Sequence, residues 1–147
     1  MITTRPAAPS DIPALLVGIT QLATHHGDTA TATAETLARD LFGPLPWMHA
    51  LMAETGQSVT GYAILLPLAQ LQFGKRGMDL HHLFTWPEHR KTGTGRALLL
   101  AAQAYARDLG CTYMTVGTHP DNTDAQAYYL RHGFTPRAPS PRFALML

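Results

Sequence analysis

The stretch "DLHHLFTWPEHRKTGTGRALLL", residues 79–100, constrains the fold of this chain more than any other. It reads as a strand, a sharp turn and the start of a helix, with Gly93 and Gly95 where the helix begins. Glycines at such a join let backbone approach a ligand closely, and the helix dipole places its positive end there. The amides from Lys91 to Arg96 then point outward, an arrangement that binds phosphate or pyrophosphate, and Arg90, Lys91 and Arg96 add charge on the same side. A lone G-x-G is weakly specific, and a glycine-rich turn with solvated basic residues is the plainer reading. A Rossmann fingerprint fails because Leu98 stands where a third small residue is needed. A P-loop fails because Gly-Lys-Ser/Thr is absent.

The rest of the chain supplies an α/β frame for that turn. "ITTRPA" (2–7) is a short first strand bounded by prolines. Ser10 and Asp11 offer an N-cap to a helix carrying Ile12, Leu15, Leu16, Ile19 and Leu22 at helical spacing, and Gly27 closes it. A second helix runs through 32–42, capped by Thr33 and broken by "GPLP". Strands are expected at 47–54 and 58–71 around the turn signal "TGQ", and Pro67 points to an edge position or a bulge. Another strand covers 77–86. The helix of about 93–109 should bury Ala97, Leu98, Ala101, Tyr105 and Leu109, and Gly110 ends it. A strand at 112–118 and a helix from Asn122 to Gly133 follow, and the tail "TPRAPSPRFALML" should add one or two strands. The order β-α-α-β-β-β-α-β-α-β(-β) gives a mixed sheet of six to seven strands with helices on both faces, in one domain over 1–147.

Composition narrows the function classes. The chain has 147 residues, 46% of them hydrophobic, which suits one domain. Eleven basic against ten acidic residues give +1, with charged residues only 14%, so no basic face for nucleic acid is expected. Cys111 is the single cysteine, which excludes an internal disulfide. No apolar run nears the roughly 20 residues of a membrane span. "MITTRPAAPSDIP" lacks the order of a signal peptide, so a cytoplasmic setting is expected.

Arg90-x-x-Gly93-x-Gly95 matches the Q/R-x-x-G-x-G/A signature of the GNAT superfamily of acetyl-CoA-dependent N-acetyltransferases. A second half of that signature, N-x-x-A-x-x-x-Y-x-x-x-G-F, stands at Asn122, Ala125, Tyr129, Gly133 and Phe134. The chain resembles this family over nearly its whole length, and its opening and "VTGYAILL" look like the diamine and polyamine branch. The resemblance implies acetyl-CoA as co-substrate, with no metal, held in a gap between the fourth and fifth strands. Backbone of Leu83, Phe84 and Thr85 would hold the pantetheine arm and polarise the thioester carbonyl. Amides of Lys91, Thr92, Gly93, Thr94, Gly95 and Arg96 would take the pyrophosphate. Asn122 and Ala125 would contact the cofactor, and the Tyr129 hydroxyl would act as general acid at the leaving sulfur. A core aromatic is the alternative for Tyr129, although Tyr128, sharing a face with Ala125, fits the buried side better. Homodimers are common in that branch.

The chain departs from the branch where the acceptor should bind. Its acids are replaced by His81-His82, and a Tyr-Glu pair by His25-His26, so the wall loses its formal negative charge. A smaller or less cationic amine is expected: an amino acid, an amino sugar or a peptide terminus. Histidine, with an ordinary pKa of ~6.5, suits a general base at neutral pH. Strand alternation should point His81 and His82 to opposite faces, leaving one at the substrate, and His81 holds the position of the family's catalytic acid. An ordinary hydrogen-bonded strand histidine is the equal alternative. Lys91 replaces a customary glycine, which the turn accommodates if φ stays negative. Two rival functions stand: a CoA-binding sensor without transfer, and a metal site on His25, His26, His81 and His82, for which zinc-like spacing is absent.

Overall fold

A computed structural model describes residues 1–147 and separates the chain into two compact units, Met1–Val116 and Gly117–Leu147. The first unit contains a five-stranded sheet in the order β1-β2-β3-β4-β5. These strands are β1 (Ile2–Pro6), β2 (His49–Thr55), β3 (Ser58–Gln70), β4 (Lys75–Thr85) and β5 (Cys111–Val116). The first four run antiparallel and β5 lies parallel to β4, so the sheet is mixed. The expected sixth and seventh strands are not formed. Residues 135–147 carry no regular structure, and Pro136, Pro139 and Pro141 each lack the N–H a ladder requires.

Helices flank both faces of the sheet. Helix α1 (Ile12–His25) packs Leu15 against Ala50, Met52, Tyr62, Ile64 and Phe84. Helix α3 (Thr94–Asp108) covers the opposite face, where a Cβ on Gly61 would lie 3.0 Å from Thr94 Cγ2 and 3.1 Å from Leu98 Cδ1. The same Cβ would lie 2.6 Å from the Phe84 carbonyl, so a residue larger than glycine at 61 would strain the β3–β4 pairing as well as the seat of this helix. The buried side of α3 is Thr94, Leu98, Leu99, Ala102 and Ala106. It is turned from the face expected around Ala97 and Tyr105, because α3 lies across all five strands and the flanks share the burial.

Thr33 caps α2 (Ala34–Leu37) by accepting the Thr36 amide at 3.1 Å, and the chain continues as a π-turn over Ala38–Phe42. Gly27, just past α1, has φ +78°. Pro67 sits where β3 has lost its β2 neighbour, because that pairing ends at His49↔Leu65. The missing N–H therefore breaks no ladder bond on that side.

The second unit contains α4 (Thr123–Arg131), capped by Asn122 Oδ1 accepting the Ala125 amide at 3.1 Å. Tyr129 lies edge-on to Tyr128 and to Phe134, each at a ring separation of 5.4 Å. Both tyrosines are half-buried, so the expected division between a core Tyr128 and an outward Tyr129 does not hold.

Candidate active site

The β4 strand is the backbone of the site. Its pairing with β5 ends at Leu80↔Val116, yet it continues to Thr85 with only β3 beside it. The Trp86 amide donates to the Thr60 carbonyl at 3.0 Å. Antiparallel alternation from that bond makes Phe84↔Tyr62 a bonded pair and turns the N–H and C=O of Leu83 and Thr85 away from β3. Phe84 therefore offers its backbone to β3 and its ring to the core, where it is 4% exposed. Leu83 and Thr85 alone present an open edge of the kind a pantetheine amide could meet. The Thr85 carbonyl already accepts Arg90 Nε at 3.2 Å, which leaves the Thr85 amide and both groups of Leu83.

The expected alternation of the histidines is wrong, and the reason is a register shift. β3 pairs Ile64 with His82 and then Leu65 with Leu80, so His81 is an extra residue in β4. A bulge of this kind breaks the period of two and re-aims side chains. Both imidazoles come to the α1 side, stacked with centroids 4.6 Å apart and planes 14° from parallel. His81 is exposed and His82 half-buried. Tyr62, fully buried, brings its hydroxyl 3.3 Å from His82 Nδ1. Burial, with smaller contributions from His81 and His26, lowers the His82 pKa to about 4, so this ring is neutral at pH 7. Burial likewise raises the Tyr62 phenol well above its ordinary value.

His81 and His82 line one wall of a cavity with Ile19 of α1, Leu37 of α2, Leu41 and Ile64. His25 ends α1 and His26 caps it, both exposed. Neither lines the cavity, although His26 is close enough to bear on His82. No group of three or more His, Cys, Asp or Glu is placed to hold a metal ion.

The glycine turn has the conformation an anion cradle requires. Gly93 stands at φ +95° as the N-cap of α3, and the first helical bond is Ala97 N–H to its carbonyl at 3.0 Å. The amides of Thr94, Gly95 and Arg96 precede that bond and have no helical acceptor. Lys91, Thr92, Gly93 and Arg96 are exposed. Thr94 is 1% exposed, with its hydroxyl 3.1 Å from that of Thr92, which in turn donates to the His89 carbonyl. Its side chain is thus part of the packing. Lys91 adopts φ +60°, contrary to the expected negative value: the turn keeps its left-handed step even where the side chain opposes it. These residues fit a pyrophosphate through backbone amides and three basic side chains.

In the second unit, burial and then the neighbouring Tyr128 push the Tyr129 phenol up to about 12, so it stays protonated at neutral pH. Reading the sequence missed Tyr62, which lies inside the continuous apolar run of β3, and Asp40, which looks like a solvated helix residue. Neither carried a motif that would have marked it.

An open strand edge, a left-handed turn with free amides and a wall bearing two imidazoles lie on one sheet and one helix start. Residues 19–134 match the acetyltransferase (GNAT) family, and the chain belongs to that family. Rat N-acetyltransferase 8B is 32% identical over 83 residues, covering 56% of this chain but only 37% of the rat protein. Among solved structures, an aminoglycoside acetyltransferase from an uncultured soil metagenomic sample superposes with a TM-score of 0.80 at 16% identity, over 99% of this chain and 96% of that one. Ribosomal-protein-alanine N-acetyltransferase from Brucella melitensis biovar Abortus 2308 gives 0.80 at 14% identity, over 99% and 100%. At such identities the two structures establish the shared fold.

Proposed function

We propose that this chain is an N-acetyltransferase that moves the acetyl group of acetyl-CoA to a primary amine of a small molecule or peptide by direct attack in a ternary complex. One observation carries the reading: the β4 bulge sets two imidazoles on a cavity wall immediately before the stretch of β4 whose outer edge is open. A proton acceptor thus adjoins backbone donors that could polarise a carbonyl. Acetyl-CoA, when bound, supplies the activated acyl carbon.

The residues divide the work by position. Exposed His81 takes the ammonium proton, and half-buried, neutral His82 supports it as a stacked platform held by Tyr62. Nitrogen–carbon bond formation is then matched by carbon–sulfur cleavage, and Tyr129 protonates the departing sulfur. Leu83 and Thr85 hold the arm, and the amides from Lys91 to Arg96, with Arg90, hold the pyrophosphate. Asn122 and Ala125 contribute from the start of α4. Both units act as a single domain in this reading, in a cytoplasmic homodimer, as family resemblance suggests.

The test is thiol release from acetyl-CoA with a broad amine panel, with the parent compared with H81A and Y129F. Each substitution should lower kcat by roughly 10²-fold or more. H81A should also lose the acidic limb of the kcat/KM profile. An unchanged profile would remove His81 as the base, and stoichiometric CoA binding without thiol release from any amine would make the chain a sensor.

A further inference from the structure

The cavity beside the two histidines says more about the acceptor than its location does. It is a half-open cavity of about 190 Å³. An apolar cavity of roughly 150 Å³ holds benzene, so this volume suits one six-membered ring or a branched aliphatic group of similar size. Ile19, Leu37, Leu41, Met48 and Ile64 form most of its wall.

The polar lining is Thr36, Asp40, His81 and His82. Asp40 is the one carboxylate, and Arg39 occupies both of its oxygens, with Nε to Oδ1 at 2.8 Å and Nη2 to Oδ2 at 3.0 Å. Arg39 is exposed and does not line the cavity, so it balances the charge of Asp40 from the solvent side. His26, which bears on His82, and the protonated Tyr62 hydroxyl 3.3 Å from it add no negative charge. An incoming ammonium can lose its proton at the imidazole end. A second ammonium seated against the aliphatic side chains would lose water and meet only a carboxylate already shared with Arg39, which is unfavourable.

We propose that the acceptor is a primary monoamine carried on a compact apolar body, with that body seated between α1 and α2 and its nitrogen beside His81 and His82. Polycationic amines are disfavoured by the apolar wall. This inference rests on the transferase reading and names the substrate class of the same site.

The experiment uses the full chain with acetyl-CoA and compares benzylamine, spermidine and sisomicin by thiol release. Benzylamine should exceed both others in kcat/KM by at least about tenfold, the discrimination expected when a buried charge is left unpaired. Equal or better turnover of spermidine or sisomicin overturns the inference while leaving the transferase reading intact. T36E places a carboxylate on the wall and keeps the capping box at Thr33, because a glutamate at this helical position can accept the Thr33 amide. It should raise the spermidine-to-benzylamine ratio by at least about tenfold. An unchanged ratio in folded T36E overturns the seating. Binding is read separately as a rise in Tm with benzylamine in the presence of CoA. A rise without turnover refutes the transferase reading alone, and no rise refutes the cavity as the acceptor site.

Discussion

Lys91 shows how strongly a turn can overrule a residue. A side chain at φ +60° crowds the following carbonyl at a cost of roughly 1–2 kcal/mol. Glycine relieves that crowding but loses roughly 0.5–1 kcal/mol to the entropy of the unfolded chain. K91G should therefore stabilise the protein by up to about 1 kcal/mol in urea unfolding. His82 is held against its preference in a different way. Its folded pKa of about 4 lies below the ordinary ~6.5, so the unfolded chain binds a proton that the folded chain refuses. Stability consequently falls as pH drops through this window. Between pH 7 and pH 5 the loss from this group should be roughly 2 kcal/mol. H82Q should be less sensitive to that change than the parent by the same amount, and an identical pH dependence would show that burial does not hold His82 neutral.

At the scale of elements, helix ends were plain in the sequence and strand registers were not. Gly27, Gly110 and Gly133 follow their helices at φ +78°, +83° and +91°, because a left-handed residue is the simplest way to turn the chain out of a helix. Thr33 was equally legible as a cap. T33A should cost about 1 kcal/mol in urea unfolding and speed amide exchange in α2. The β4 bulge had no local signature. Leu80-His81-His82-Leu83 reads as an unbroken strand, and only its pairing to Ile64 and Leu65 decides that one residue is extra. The consequence is functional, since alternation would have sent the two imidazoles to opposite faces. The π-turn behind α2 was likewise illegible, although the cap of α2 at Thr33 and the break at Gly43 were readable.

At the scale of the whole first unit, one buried charge ties distant segments together. Asp11 is 6% exposed and accepts both terminal nitrogens of Arg5, at 2.7 and 2.9 Å, and the Ala8 amide. Arg5 also reaches Glu54 on β2, so β1, β2 and the entry to α1 share one network. Arg5 holds the Asp11 carboxyl below the usual carboxylate range. Its stabilisation is therefore present above the ordinary ~3.9 and is lost as pH falls through the folded value. D11A should cost about 2 kcal/mol at pH 7, read as a shift in the urea midpoint with an unchanged slope. A negligible shift would mark the network as surface decoration.

The division between sequence and structure follows the range of the interactions. The order of elements, the glycine turn and both halves of the family signature depend on neighbours a few residues apart, and the sequence alone determined them. The tail went the other way, since a short apolar run such as 143–147 suggests a strand whether or not the prolines before it allow pairing. Tertiary structure decided what required two segments at once. It placed both histidines on one wall through a register shift, opened β4 beyond Leu80 by ending β5 at Val116, and brought Ile19, Leu37, Leu41 and Ile64 together as one apolar cavity wall. None of these is encoded in the residues themselves, because each depends on which strand or helix happens to lie alongside.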